Sequence, residues 1–557
     1  MSHFAELAKV LDDVSIVSGR NKKINLLAQY IRELSPEEVS TAVYFLSGKV
    51  FSESDQRTLD VSWAGIKNAL HQILQFKDDE LGKHYEGDTG EMVASLLESL
   101  DAPRQISLFD EPLTLLSVRQ GIDRISSASG KGSRKEKEAI IARLITDASP
   151  REARYLVAII LGDLRTGASE GIVAEAIAKA SGLDPTLVRR AWQLLGDLGE
   201  VAQIAMVDGE SGLSQISIRL MRPVKPMLAA PQEVDALEEL VRSGEFALEL
   251  KLDGARVQIH KDERDVRIFS RRLLEVTESL PEIVELVQEE FTCKQCVLDG
   301  EVVPIDDEGR PYPFQVVMRR FGRVQDVEVS SEEVQLSLHI FDVLFLDGKS
   351  LVDEPNERRR KILEGITPSG LLIERLEPKG LEKATEFFER SRELGHEGLV
   401  AKRTDSPYLP GVRGKNWFKI KHTLETVDLM VIAVEWGHGR RSKWLSDYHL
   451  AVWDEDSGEY AMVGKTFKGL TDKELEEMTR RFLSLKTGEN RHIVQVQPAV
   501  VVEVLASEIQ TSPTYKSGMA LRFARIVRIR DDKGPSDVMK LEELKRMFDE
   551  QFRFKAR

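Results

Sequence analysis

The sequence predicts a multidomain protein with an all-α N-terminal domain, an α+β core built on antiparallel sheets, and a C-terminal β-barrel. The chain has 557 residues, which is more than one hydrophobic core usually serves. The spacing of its apolar residues also changes twice, from helical periodicity to short strands mixed with helices, and then to strands alone. We therefore expect three domains.

Helical periodicity covers the first domain, residues 1–220. Segments such as INLLAQYIREL (24–34) and EAIIARLI (138–145) repeat apolar residues at three- and four-residue spacing, and proline is sparse. One connector, SASGKGSRKEKE (127–138), is small, polar and basic. We interpret this connector as a solvated loop.

The prolines of MRPVKPMLA (221–229) indicate a linker into the second domain, residues 221–425. Short alternating strands follow there, separated by helical segments such as LPEIVELVQEEF (280–291), which is typical of an α+β core with antiparallel strands. In the third domain, residues 426–557, strands such as DLMVIAVEW (428–436) dominate and predict a small β-barrel.

Composition limits the function classes. The net charge of −15 argues against a protein that coats nucleic acid indiscriminately, although a local basic surface is still allowed. The sequence contains neither a long apolar run nor an apolar signal core at its start, so we expect a cytoplasmic location and no membrane partner. The only two cysteines, Cys293 and Cys296, lack further ligands at metal-site spacing and are interpreted as incidental.

The stretch LELKLDGAR (248–256) contains the first candidate for chemistry. Leucines alternate with Glu249, Lys251 and Asp253, so these charged residues share one face of a strand. An exposed strand would show the same alternation. No phosphate-binding loop elsewhere in the sequence helps to decide between a functional and an exposed strand. GEYAMVGKT (458–466) is similar to such a loop, but its glycine spacing is wrong.

Five further clusters combine strand-like apolar spacing with charged or aromatic residues. They are FSRRL (269–273), LDGEVVPID (298–306), LHIFDVLFLDG (338–348), EGLVAKR (397–403) and VRGKNWFKIK (412–421). Each alone fits a routine charged sheet face. Together they supply cations for phosphates, carboxylates for a divalent metal and an aromatic ring for a base, which indicates phosphoryl or nucleotidyl transfer.

KLDGAR (251–256) and these clusters, in this order, resemble the motifs of ATP-dependent DNA ligases of the archaeal and eukaryotic replicative type. LGDLRTGASEG (161–171) resembles part of their helical DNA-binding domain, and ALRFARIVRIRDDKGPSD (520–537) resembles their last motif. The resemblance implies a helical DNA-binding domain (1–220), a nucleotidyltransferase (adenylation) domain (221–425) and an OB-fold β-barrel (426–557).

The same resemblance implies a mechanism. Lys251 would attack the α-phosphate of ATP, with Mg²⁺ as cofactor, and the AMP would then pass to the 5′-phosphate of a nick before the 3′-hydroxyl displaces it. Such an enzyme serves DNA replication, repair and recombination. Because only a neutral lysine is a nucleophile, we expect nearby cations, the metal or partial burial to lower the pKa of Lys251.

The resemblance also assigns the nucleotide and metal sites. Glu249 and Phe341 would contact adenine, and Glu301 and Glu397 would lie near the metal, with Glu301 also near the ribose. The cations expected around the ribose, the phosphates or the DNA are Arg256, Arg271, Arg413, Lys419, Lys421, Arg522 and Arg525. Ala524 stands where family members commonly have proline.

Nicked duplex DNA is the implied partner of a monomeric enzyme, and the basic residues 130–137 gain a second interpretation as a DNA-contacting loop. QISLFDEP (105–112) resembles a sliding-clamp-binding peptide through Gln105, Leu108 and Phe109, or is a loop between helices. Alternatives are an RNA ligase or capping guanylyltransferase, for which the helical region is unexpected, and a non-catalytic DNA-binding scaffold. The sequence leaves open whether ADP, NAD or GTP can replace ATP.

Overall fold

A computed structural model describes residues 2–85, 87–99, 112–313, 316–317, 334–422, 424–437, 441–490, 492–551 and 553–556. Gln105, Leu108 and Phe109 of the clamp-like peptide lie outside the described residues. Within the part of the chain that is described, no helix combines the length and the apolar character needed to cross a membrane.

The N-terminal part is helical, as predicted. Its helices are α1 Phe4–Ile16, α2 Arg20–Glu33, α3 Pro36–Leu46, α4 Trp63–Ile73, α5 Asp78–Lys83, α6 Thr89–Ser99, α7 Leu115–Ser127, α8 Ser133–Thr146, α9 Pro150–Leu161, α10 Glu170–Ser181, α11 Pro185–Leu195, α12 Leu198–Val207 and α13 Gly209–Ser214. Their buried aliphatic faces form one core, which includes Leu27, Ile122 and Leu156. Local sequence explains several boundaries: α9 begins with a Ser149–Glu152 capping box and a proline in its first turn.

The basic connector is mostly helical, so its interpretation as a loop is wrong for Ser133 onward. Gly130 and Gly132 adopt positive φ angles of 77° and 100° and confine the turn to residues 128–132. Helix α8 then follows because Ile140 and Ile141 bury one of its faces. Lys137 Nζ donates to the Leu59 carbonyl at 2.9 Å, which ties part of the basic run to the helical core.

The described residues of the central part form two mainly antiparallel sheets and four α-helices, which confirms the predicted α+β core. Its strands are β1 Leu228–Gln232, β2 Phe246–Lys251, β3 Ala255–Asp262, β4 Asp265–Ser270, β5 Gln295–Ile305, β6 Gln335–Leu346, β7 Lys349–Ser350, β8 Arg375–Leu376, β9 Gly398–Arg403 and β10 Arg413–Lys421. Its helices are α14 Ala236–Ser243, α15 Pro281–Glu290, α16 Asn356–Ile366 and α17 Leu381–Glu393. The strand orders are β1-β10-β9-β2-β8 and β4-β3-β5-β6-β7. Among these ten described strands, only the β1–β10 pair is parallel.

The chain passes from the first sheet to the second directly after Lys251, at residues 252–254. Lys251 pairs with Gly398 of β9, whereas Arg256 of β3 already pairs with Glu301 of β5. The crossing is tight: a Cβ atom on Gly254 would lie 2.4 Å from the carbonyl oxygen of Val302. The glycine of KLDGAR is therefore required by the close approach of two strands.

The C-terminal part is rich in strands. Its elements are β11 Val427–Trp436, β12 Leu445–Asp454, β13 Glu459–Thr466, α18 Asp472–Ser484, β14 Lys486–Asn490, β15 Ile493–Leu505, β16 Glu508–Thr511, β17 Met519–Arg522, β18 Arg525–Ile529 and α19 Leu541–Gln551. Strands β13-β12-β11-β15-β14 form one sheet, β18 also pairs with β15, and β16 and β17 form a hairpin. Buried residues such as Val431, Leu450 and Phe482 fill the core.

Candidate active site

A cavity of about 1440 Å³ is lined by both central sheets and by the C-terminal part. Most of the residues singled out in the sequence line it together: Glu249, Lys251, Arg256, Arg271, Glu301, Phe341, Glu397, Arg413, Lys419, Lys421 and Arg522. Arg525 does not line it and is exposed at the start of β18. Seven separate sequence motifs thus meet at one place: KLDGAR, the five further clusters and the last motif.

Lys251 lies at the end of β2, where the strand ladder fixes a carboxylate beside it. The Glu397 amide donates to the Lys251 carbonyl at 2.9 Å, and Lys251 Nζ lies 2.8 Å from Glu397 Oε2. Burial alone would lower the pKa of Lys251, but the carboxylates of Glu397, Glu301 and Asp253 outweigh it and raise that pKa. The expected lowering is therefore wrong for the protein on its own, because the charges nearest to the ammonium are acidic.

The two carboxylates predicted to hold a metal have opposite protonation behaviour. Burial acts to raise the pKa of Glu397, but the Lys251 and Lys421 ammonium groups outweigh it and lower that pKa to about 2. Burial raises the pKa of Glu301 to about 7, despite the opposing charges of Lys251 and Arg256. Glu397 is thus ionised at neutral pH, whereas a nearby cation would stabilise the ionised form of Glu301.

Glu249 is 2% exposed and is held by cations beneath the cavity. Its Oε2 lies 2.6 Å from Lys402 Nζ, and Oε1 lies 3.6 Å from Arg375 Nη1. Lys402 Nζ also lies 4.6 Å from the ring centroid of Phe341 and 4.4 Å from that of Trp417. Burial lowers the pKa of Lys402. The motif EGLVAKR contains Lys402, but only the structure reveals this role.

Phe341 and its neighbour Asp342 point to opposite sides of β6, as successive residues of a strand do. The Phe341 ring lines the cavity and packs edge-to-face on Trp417 with centroids 6.3 Å apart. Asp342 is buried on the other side, where its Oδ1 and Oδ2 accept from Arg359 Nε and Nη2 at 2.7 and 3.0 Å. Arg359 lies in α16, outside every motif quoted above, so its role emerges only from the structure.

Arg256 is bound by the protein itself. Its Nε and Nη2 donate to the two carboxylate oxygens of Asp299 at 2.9 and 2.6 Å, and its Nη1 donates to the Met227 carbonyl at 2.7 Å. The Tyr408 hydroxyl, which no sequence motif had indicated, also donates to Asp299 Oδ2 at 2.6 Å. The guanidinium therefore joins the linker, β3 and β5 at the edge of the cavity.

The C-terminal part reaches the cavity at two places. Arg522 Nη1 lies 3.3 Å from Glu508 Oε2, so the last motif faces the site from the β16–β17 hairpin. Lys555, beyond helix α19, forms an ion pair with Asp253 of KLDGAR. Lys555 belongs to no recognisable motif, so nothing in the sequence could have indicated this contact.

Comparisons with known proteins agree along the whole chain. Residues 2–178 match the family described as DNA ligase N terminus, residues 226–421 match the ATP dependent DNA ligase domain, and residues 441–533 match the ATP dependent DNA ligase C terminal region.

Curated relatives align from end to end. The DNA ligase of Thermococcus fumicolans is 40% identical over 559 residues, covering 100% of both chains. DNA ligase 1 of Korarchaeum cryptofilum is 41% identical over 98% of each chain. A solved structure named Pmar-Lig_Pre has a similar fold, with a TM-score of 0.59 at 17% identity, covering 94% of this chain and 99% of that chain. The chain therefore belongs to the ATP-dependent DNA ligase family.

Proposed function

We propose that this protein seals nicks in duplex DNA by joining a 3′-hydroxyl to a 5′-phosphate, through an AMP adduct on Lys251 and then an adenylated DNA end. The observation that carries the proposal is the position of Lys251, fixed at the end of a strand in a cavity that both central sheets and the last motif line. Because the backbone of Lys251 is held in a strand, its amine can approach the α-phosphate from one direction only. The reaction would serve DNA replication, repair and recombination.

Glu249 and Phe341 are the proposed adenine contacts. Among the described groups, Glu249 Oε1 has no hydrogen-bond partner although it is buried, so it can accept a hydrogen bond from an exocyclic amine. Lys402 and Arg375 hold this carboxylate in place. The Phe341 ring offers its surface to a base from the same cavity.

Glu301 and Glu397 are the proposed ligands of Mg²⁺. No group of three or more metal-ligating side chains occurs among the described residues, and Mg²⁺ commonly takes only one or two carboxylates, completing its shell with phosphates and water. The buried Glu301 carboxyl, whose pKa is about 7, fits such a site. When bound, the ion would neutralise charge on the nucleotide phosphates.

The remaining cations are proposed to hold phosphates. Arg413, Lys419 and Lys421 line the cavity from β10, and burial, followed by the charges of Lys421 and Lys251, lowers the pKa of Lys419. Arg271 and Arg522 line it from the β4 loop and the last motif. Arg256 would act from its fixed position at the cavity edge, and Arg525 would contact DNA outside it.

We propose that residues 1–220 clamp the duplex, that residues 221–425 form the adenylation domain, and that residues 426–557 form an OB-fold barrel. Two hydrogen bonds support barrel closure, because they join the end of edge strand β13 to β18 on the other side of the sheet. Thr466 Oγ1 donates to the Ala524 carbonyl at 2.6 Å, and the Ile526 amide donates to the Lys468 carbonyl at 3.0 Å.

A cytoplasmic monomer that binds a sliding clamp through Gln105, Leu108 and Phe109 completes the proposal. Its decisive test is incubation with α-labelled ATP and Mg²⁺, followed by denaturing gels, and then ligation of a nicked duplex. We expect labelled protein and sealed DNA from the wild type, and neither from Lys251→Ala. Equal labelling of Lys251→Ala would refute the nucleophile assignment, and labelling from GTP rather than ATP would favour the guanylyltransferase alternative.

A further inference from the structure

The helical region touches the loop that carries Arg271. Residues 51–57, between α3 and α4, meet residues 271–275 after β4. Gln56 Nε2 donates to the Leu273 carbonyl at 3.0 Å, and the Glu275 amide donates to Gln56 Oε1 at 2.7 Å. One side-chain amide therefore pairs with the backbone on both sides of Leu274, much as a neighbouring strand would.

The loop has a conformation that needs support. Leu273 has a φ of 65°, in the left-handed region that a branched side chain rarely adopts. Two internal hydrogen bonds help to hold it, from the Leu273 amide to the Ser270 carbonyl and from the Ser270 amide to the Leu274 carbonyl, both at 2.8 Å. Arg271 lies inside this turn and lines the cavity, so the direction of its side chain depends on the shape of the turn.

The segment that presents Gln56 is itself anchored. Arg57 binds Asp55 within the segment and Asp123 of α7 at 2.9 Å, and its guanidinium lies 4.1 Å from the ring centroid of Phe51. Glu53 Oε2 lies 2.6 Å from Nζ of Lys225 in the linker. These contacts fix residues 51–57 to the helical region and to the start of the central part, and so give Gln56 a defined position.

We propose that Gln56 is a positioning residue: it sets the Arg271 loop for formation of the Lys251–AMP adduct, so that the helical region takes part in the first chemical step as well as in binding DNA. This inference rests on the proposed function. The described arrangement favours the first step, because Arg271, Lys251 and Arg522 line one cavity while Gln56 holds the loop. Gln56 would act through Arg271 and need not touch the nucleotide.

The test is a double-mutant cycle on the rate of adduct formation at saturating ATP and Mg²⁺, without DNA. We expect Gln56→Ala to slow the step about tenfold, as for the loss of two hydrogen bonds. Gln56→Glu retains the acceptor for the Glu275 amide but sets a carboxylate oxygen against the Leu273 carbonyl, so it should not restore the wild-type rate. Gln29→Ala, at an exposed glutamine of α2, is the matched control and should keep the wild-type rate.

The decisive readout is the rate in an Arg271→Ala background, where Gln56→Ala should add no further loss. If the two losses multiply instead, or if Gln56→Ala keeps the wild-type rate, the inference is overturned. It is also overturned if Arg271→Ala alone forms the adduct normally. Normal adduct formation by Arg271→Ala would leave the proposed function intact as long as Lys251→Ala remains unlabelled. Failure of the Gln56 inference can therefore be distinguished from failure of the proposed function.

Discussion

The ion pair between Lys251 and Glu397 predicts how adduct formation depends on pH. The perturbation is Glu397→Gln, which retains the shape of the side chain and removes its charge. Glu397 has a pKa of about 2 instead of 4.5, mainly because two ammonium groups overcome the effect of burial. That difference corresponds to a net interaction of about 3 kcal/mol. Lys251 is one of the two ammonium groups that supply this interaction, so removing the carboxylate charge lowers the pKa of Lys251, by on the order of one unit.

The sign of the effect follows from the charges. Without the carboxylate, the Lys251 ammonium is less stabilised, so the neutral, nucleophilic amine appears at lower pH. The pH midpoint for adduct formation should therefore move down by about one unit. The plateau rate should also fall, because Glu397 is a proposed metal ligand, but the midpoint is the quantity that tests the ion pair.

The assay is single-turnover labelling with ATP at saturating Mg²⁺, from neutral to strongly alkaline pH. Glu393→Gln, at an exposed carboxylate at the end of α17, is the matched control and should leave midpoint and plateau unchanged. A midpoint in Glu397→Gln equal to that of the wild type would show that the carboxylate does not control the protonation of Lys251, and the reasoning would be refuted.

Three further predictions concern the walls of the cavity. Phe341→Ala should raise the KM for ATP in adduct formation by about tenfold through lost stacking; an unchanged KM would exclude Phe341 as the adenine contact. Lys402→Met should lower the free energy of unfolding by about 3 kcal/mol, because the buried Glu249 carboxylate loses its main partner. Adding Glu249→Gln should restore part of the lost stability. A wild-type Tm in calorimetry for Lys402→Met would contradict this. Below pH 7, near the pKa of Glu301, the Mg²⁺ concentration for half-maximal labelling should rise about tenfold per pH unit. The same slope in Glu301→Gln would assign that dependence to another group.

Strand alternation made much of the candidate site predictable. A period of two residues is a local property, so the sequence alone could place Glu249 and Lys251 on one face of β2, and Phe341 opposite Asp342 on β6. Trp417, Lys419 and Lys421 line the cavity from β10 for the same reason. Helical spacing in residues 1–220 is equally local, which explains why the helical character of that region was predicted, although the start of α8 was not.

Contacts between distant segments were not predictable from a single sequence. Arg375 and Lys402 converge on Glu249 only because β8 and β9 flank β2 in the sheet. Lys555 meets Asp253, 302 residues earlier. The raised pKa of Lys251 has the same origin, since it depends on which charges folding brings nearest. The basic connector was misread because the burial that continues α8 lies beyond its polar start.

The carboxylates around Lys251 also bear on unwanted chemistry. A deprotonated lysine in an open cavity would react with acylating metabolites or isocyanate, and each such event would block the amine as a stable amide or urea. The ion pair with Glu397 keeps Lys251 protonated. A protonated amine has no free lone pair, so it does not react with such electrophiles. We expect Lys251 to resist acetylation at neutral pH better than an exposed lysine does, which would give the enzyme a long working life between turnovers.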